Sequence, residues 1–311
     1  MTARTRAYLL LIFVAVIWGL APPVIKYTLP YFPTAIFLTY RFLIISLLMI
    51  PFLLIHEPRT WHVLDGLTHR DWLILIISGL LGSTLQLGFL FWGLELTTSL
   101  DGSLINATSP ILVALAGHYL LKESIPFRER IGHVIAFIGT IIIVIQPVFE
   151  GHRLFSGSML GNILTLVGTV AWVGYVLLTK VELKHKLSPL LLTAFMFFIG
   201  FISMSVISFF LYSPLQITTI FNLAPLSAHL GVLFMALISG ALAYWAYQAA
   251  QKCITVAEAN IFLYLPPIFT LPLAYFWLHE KISLFFVLGS LIIAFGVVFA
   301  EIRSYSRRHV V

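Results

Sequence analysis

Apolar residues run in stretches of about twenty along the whole chain, the length a helix needs to cross a bilayer, and short polar breaks separate them. The pattern predicts ten helical spans, over residues 7–27, 33–55, 72–94, 100–121, 128–146, 160–181, 189–211, 228–251, 256–278 and 284–303. Helix is the expected state because backbone N–H and C=O groups inside hydrocarbon must bond within their own segment. Residues 7–29 are longer than a signal-peptide core of about 7–15 residues. No small-x-small cleavage site follows them, so they are read as a retained first helix.

Composition agrees with the pattern. Hydrophobic residues make up 60% of the 311 positions and charged residues 10%, against about 25% charged in a soluble domain. The net charge of +6 is assigned to basic loops on one side of the membrane, not to a nucleic-acid surface. With the N-terminus in the cytoplasm, fourteen Lys and Arg lie on the inner side and three, Lys26, Arg153 and Lys281, on the outer side. Both termini are therefore expected in the cytoplasm, in the inner membrane. The single cysteine, Cys253, excludes an intrachain disulfide and reads as a packing residue.

Two stretches match. "NATSPILVALAGHYLLKESI" at 106–125 and "LYLPPIFTLPLAYFWLHEKI" at 263–282 are both apolar, interrupted by proline and closed by a charged turn. Sliding the chain by 157 positions superposes Pro110 on Pro267, Glu123 on Glu280, Gly132 on Gly289, Gly139 on Gly296 and Asp101 on Glu258. At a spacing of 154, Trp18 meets Trp172 and Lys26 meets Lys180. The expected fold is an all-α integral membrane protein of ten transmembrane helices in two inverted five-helix repeats. The units are residues 1–147 and 158–303, with a linker at 148–157 and a tail at 304–311. Five crossings put the second copy upside down relative to the first, the architecture of alternating-access carriers. The breaks at Pro110, and at Pro266 and Pro267 with Pro272 beyond, mark the expected binding region, since proline frees carbonyls that can line a cavity. A packed kink is the competing reading of each. Glu123 and Glu280 are expected to favour the N-termini of the fifth and tenth helices.

The residues resemble the EamA-like ten-helix members of the drug/metabolite transporter superfamily, over nearly the whole chain. The resemblance rests on "VIWGLAPPVIKY", "YRFLIISLLMI", "LTTSLDGSLINATSPILVALAGHYLLKESI" and its echo "YQAAQKCITVAEANIFLYLPPIFTLPLAYFWLHEKI". The family's helix pairs typically end in Gly-Glu. Here Lys122 and His279 stand where the glycines would be, which puts the turn geometry in question. The resemblance implies a secondary carrier of small metabolites, often an exporter of amino acids or related compounds. It also implies a cavity formed by helices one, three and four with six, eight and nine.

Polar and aromatic residues on those helices are the candidate cavity lining: Trp18, Gln86, Asn106, Trp172, Tyr244, Gln248, Asn260 and Tyr264. Mid-span tryptophan departs from its interfacial preference, so Trp18 and Trp172 read either as a stacking surface or as tight packing. Arg41, about 12 Å along its helix from Pro33 at 1.5 Å per residue, is an intramembrane charge and so a functional candidate. Three readings stand for it: pairing with Asp101, contact with a substrate carboxylate, or a gate. Asp101 and Glu258 each read as a helix-start carboxylate or a carrier of a coupling proton. Lys26 and Lys180 read as snorkelling helix-end residues.

No GxxxxGK[ST], HExxH, GxSxG or CxxC occurs, so no ATPase, metal or nucleophile motif is present, and no cofactor or metal is expected. The expected partners are a small-molecule substrate, the bilayer and a proton as candidate coupling ion, with the chain a monomer or homodimer. The alternative is a membrane-embedded enzyme or receptor. The dense cluster "HEPRTWHVLDGLTHRD" at 56–71 would serve it, unless that segment is a solvated loop.

Overall fold

The computed structural model describes residues 2–58, 60–97, 99–149, 151, 158–184, 187–269 and 284–301. Among these the structure is helical, with no strand. The helices are α1 (Ala3–Thr28), α2 (Thr34–His56), α3 (His69–Leu96), α4 (Ser99–Asn106), α5 (Ser109–Leu120), α6 (Phe127–Val144), α7 (Met159–Lys184), α8 (Pro189–Leu211), α9 (Pro214–Leu223), α10 (Leu226–Gln251), α11 (Val256–Ile261) and α12 (Leu284–Glu301). Seven of them are long and apolar enough to cross a membrane: α1, α2, α3, α7, α8, α10 and α12. The protein is a multi-pass membrane protein.

Local chemistry sets the helix ends. Thr68 and Asp71 form a capping box at the start of α3, and Ser213 and Gln216 form one at α9. Each satisfies N–H groups that a first helical turn leaves orphaned. Ser188 caps α8, whose first residue is Pro189, where a missing N–H costs nothing. α9 has no buried residue, which suits a helix lying outside the bundle.

The predicted fourth span is two helices. The chain turns at Ala107 and Thr108, and Pro110 lies in the first turn of α5. Without an N–H, Pro110 cannot bond the Asn106 carbonyl, and its ring crowds that carbonyl. α11 behaves alike. After Ile261 it tightens into a 3₁₀ turn over Phe262–Tyr264, whose carbonyls Pro266 and Pro267 cannot satisfy. Pro272, His279 and Glu280 lie outside the described residues.

α3 and α10 each carry one widened π-helical turn, Leu81–Leu85 and Leu237–Leu242. Nothing in the apolar pattern of the chain marks them. The first packs on α7 and α8, the second on α1 and α2. α2 lies along α8, α6 along α12, α3 along α7, α1 along α10, and α5 meets α11.

The α6–α12 contact is reciprocal. A Cβ at Gly139 would fall 2.7 Å from the Gly289 carbonyl oxygen, and one at Gly289 2.6 Å from that of Gly139. Gly132 and Gly296 stand in the same relation, at 2.7 and 2.9 Å. The two backbones therefore cross antiparallel with only glycine between them, close enough for dispersion and Cα–H contacts to hold helices together in lipid.

Candidate functional site

A buried group of aromatic and amide side chains sits where α1, α3, α7, α10 and α11 come together. Trp18 lies between three rings: Trp172 at 5.8 Å between centroids, Tyr244 at 5.2 Å and Tyr247 at 5.7 Å. Trp172 also meets Tyr175 and Tyr247, at 5.5 and 5.4 Å. These are edge-on and tilted contacts of the kind aromatic quadrupoles favour. The Trp18 indole N–H donates to the Ser239 carbonyl at 3.1 Å, inside the π-turn of α10.

Amides thread the rings. The Gln248 amide nitrogen donates to the Tyr175 hydroxyl at 2.5 Å. The Asn260 amide nitrogen donates to the Tyr247 hydroxyl and the Val256 carbonyl, both at 2.8 Å. Tyr244 donates to the Gln86 side-chain oxygen at 3.3 Å. The side-chain oxygens of Gln248 and Asn260 are buried with no partner. A buried acceptor left unmade costs about 1–3 kcal/mol, so both are available to a donor from a ligand.

Six of the eight predicted lining residues thus converge: Trp18, Gln86, Trp172, Tyr244, Gln248 and Asn260. Two do not. Asn106 is exposed at the end of α4. Tyr264 is buried but turned to α6, where its ring meets His133 edge-on at 6.0 Å. Tyr175 and Tyr247 were missed. Both follow a predicted residue by three, Trp172 and Tyr244, and so share its helix face.

Arg41 is 2% exposed. Its Nε has no hydrogen-bond partner. It lies against the π-turn of α10, where a Cβ at Gly240 would be 3.5 Å from Nε. The expected Arg41–Asp101 ion pair is not formed. Asp101 instead accepts from the Thr97 hydroxyl at 3.4 Å, beside the start of α7, where Thr97 also meets Asn162. Among the described residues the ion pairs are those of Arg4, with Glu258 at 2.5 Å and Glu301 at 3.5 Å. Tyr8 donates to both carboxylates. This group ties the start of α1 to the start of α11 and the end of α12.

Two further expectations are corrected. Lys180 does not snorkel. It is buried, and its ammonium donates to the Gln251 and Ile254 carbonyls at 2.6 Å each. Glu123 does not serve the helix that follows it. It accepts from the Val256 N–H at 2.8 Å, at the start of α11. The cause is Lys122, which adopts φ 55° and turns the chain toward α11. That left-handed conformation is the one glycine takes without strain. The 56–71 segment holds the helical turn Thr60–Asp65 and the α3 capping box, and His56 stacks on Phe52 at 3.9 Å. Among the described residues no three His, Cys, Asp or Glu side chains gather as a metal site.

A polar–aromatic site between the spans of a helical membrane protein is the kind of site a carrier of small molecules requires. The profile of the EamA-like transporter family matches this chain twice, over residues 5–145 and 159–301. The chain belongs to the EamA-like transporter family and is a transporter, not an enzyme. It is 26% identical over 294 residues to the uncharacterized transporter YyaM of Bacillus subtilis, covering 94% of this chain and 93% of that one. It is 29% identical over 295 residues to an uncharacterized transporter of Archaeoglobus fulgidus, covering 94% and 96%. A crystal structure matches the fold with a TM-score of 0.74 at 17% identity, covering 94% of this chain and 97% of that one. Its substrate is a small molecule, and its solvent is the bilayer.

Proposed function

We propose that this chain is a secondary carrier of small organic metabolites in the cytoplasmic membrane, an exporter of amino acids or related compounds that works by alternating access. In this reading it has ten spans in two inverted five-helix units, residues 1–147 and 158–303, joined by 148–157, with a tail at 304–311. α4 and α5 make one broken span, α6 another, and α11 with the residues after it a third. Both termini face the cytoplasm. The observation that carries the reading is the buried site itself, to which both halves contribute: Trp18 and Gln86 from the first, Trp172, Tyr244, Gln248 and Asn260 from the second.

The helix contacts support the inverted arrangement. Pairing α1 with α7, α2 with α8, α3 with α10, α5 with α11 and α6 with α12 maps the main helix pairs onto one another. α3 on α7 becomes α10 on α1, and the α6–α12 glycine crossing is its own image. Such a packing has two equivalent arrangements, which is what a carrier needs in order to open to either side. The Arg4–Glu258–Glu301 group is the candidate gate on the cytoplasmic side, and Glu258 is the candidate proton carrier. The active unit is a monomer or homodimer.

Counterflow tests the transport. Proteoliposomes of the full chain, loaded with a metabolite mixture, should take up a labelled member of it. Uptake with and without a pH gradient tests proton coupling. Topology is tested separately, in a Cys253→Ser background because Cys253 is exposed. Single cysteines at Arg153 and Lys186 should label from opposite faces. Labelling from the same face would remove the inverted repeat.

A further inference from the structure

We infer that the transported solute is an organic carboxylate, and that Arg41 holds its carboxylate group. This rests on the carrier reading above and names the substrate class of that site.

Among the described residues near the site, Arg41 is the charged one with an unpartnered buried nitrogen. A guanidinium keeps its charge and carries five N–H donors in a planar fork. Here it is buried, Nε has no acceptor, and no carboxylate pairs with it among the described residues. An uncompensated buried charge is among the costliest things a protein interior can hold. A charged side chain in a span faces the bundle interior or a water-filled path and marks a substrate route.

The surroundings select the anion. Arg41 lies beside Gly240, and Gly240, Tyr244 and Gln248 recur every four residues on one face of α10, so they share a stripe. Tyr244 carries the aromatic wall of Trp18 and Trp172 next to the cation. Phe197 of α8 adds an edge-on contact to Tyr244 at 5.3 Å. Farther along the stripe stands the open oxygen of Gln248, and α11 adds the open oxygen of Asn260, whose amide nitrogen bonds Tyr247. In order, the stripe presents a cation, an apolar aromatic wall and hydrogen-bond acceptors. An inorganic ion would use only the first. A carboxylate on an aromatic or branched apolar body, with an N–H or O–H at its far side, uses all three. The carboxylate's two oxygens match the guanidinium fork bidentately.

The test compares acids with their isosteres that lack the charge. Proteoliposomes of each protein are loaded with phenylacetate, indole-3-acetate, phenylalanine, tryptophan and leucine, or with the corresponding amides. Counterflow of each labelled solute is measured for wild type, Arg41→Gln and Arg41→Lys, each checked for a monodisperse, cooperatively melting protein. The expected result is uptake from the acid set, at least tenfold preference over the matching amide, and a tenfold or greater rise in KM in Arg41→Gln that Arg41→Lys partly recovers.

Amides carried as well as acids, or acids carried with unchanged KM by Arg41→Gln, overturn the inference and leave the carrier reading standing. Inhibition of acid uptake by excess chloride that vanishes in Arg41→Gln, with no acid preference over amide, assigns the site to an inorganic ion and overturns it too. No uptake from either set by folded wild type counts against the carrier reading and takes the inference with it. If Arg41→Gln does not fold, the acid–amide comparison on wild type decides alone.

Discussion

Lys180 and Arg41 are both cations buried inside helices, 6% and 2% exposed, and both lie against α10. Their situations are opposite. Lys180 meets the end of α10, where the last carbonyls of a helix have no intrahelical partner and the dipole is negative. It takes the Gln251 and Ile254 oxygens at 2.6 Å each. Arg41 meets the π-turn in the middle of the same helix, and its Nε finds no acceptor there. A helix end can neutralise a buried charge and a helix middle cannot. Lys180 is therefore part of the scaffold, closing the junction of α7, α10 and α11. Arg41 is a charge held in reserve.

The largest effect that separates them is on stability. Lys180→Met should lower the unfolding free energy by about 3 kcal/mol, because hydrogen bonds to a charged group contribute about 1.5–3 kcal/mol each. Arg41→Met removes a charge that makes no such bonds. Replacing a buried charge by an apolar side chain of similar volume is neutral or stabilising, so its melting temperature should stay at or above wild type. Thermal melts in one detergent check both. If Arg41→Met lost as much stability as Lys180→Met, Arg41 would be a structural cation after all.

A smaller effect separates the two π-turns. A Cβ at Gly240 would fall 2.6 Å from Ile45 Cδ1 and 3.5 Å from Arg41 Nε. A Cβ at Gly82, in the other π-turn, would meet Tyr175 at 2.5 Å and the Met196 sulfur at 2.7 Å. Gly240→Ala and Gly82→Ala should each cost about 1–2 kcal/mol, in the usual range for overpacking. Only Gly240→Ala should also weaken the preference for acids in counterflow, because only it places a methyl group in contact with Arg41. Equal loss of preference in both variants would detach the π-turn of α10 from the charge.

Helix positions were legible because in lipid a long apolar run leaves the backbone no other state. The predicted 189–211 span is α8, Pro189–Leu211, and its proline and Ser188 cap are visible in the sequence. The interruptions at Pro110 and Pro266 were legible for the same reason, proline having one local effect. The π-turns were not. A widened turn depends on what packs across it, Tyr175 and Met196 at Gly82 and Ile45 at Gly240, and neither neighbour is near in sequence. Membership of the buried aromatic cluster followed the same division. Residue type pointed to Trp18, Trp172, Tyr244 and Gln248. It could not tell that Tyr264 turns to His133 or that Asn106 is exposed, since helix phase beside a break is set by tertiary contact. Charges were the least legible of all. Lys180, Glu123 and Arg41 are each fixed by a partner, or the lack of one, on a helix far away in sequence.

The smallest expected effect concerns the pair that sequence height alone suggested. Arg41 and Asp101 are each buried and of opposite sign, and an ion pair between them would explain both. The structure separates them. Arg41 lies against Gly240 on α10, whereas Asp101 is held at the junction of α3, α4 and α7 by Thr97, which also meets Asn162. Groups that share no partner contribute additively, within about 0.3–0.5 kcal/mol. A double-mutant cycle of Arg41→Met and Asp101→Asn, read from thermal or denaturant melts, should therefore return a coupling energy inside that band. Asp101→Asn alone should change stability by the same amount whether or not Arg41 is present. A coupling of about 3 kcal/mol, the scale on which breaking a buried pair registers, would mean that Asp101 neutralises Arg41. The cation would then be a satisfied structural group like Lys180, and the carboxylate of a solute would have no charge left to meet.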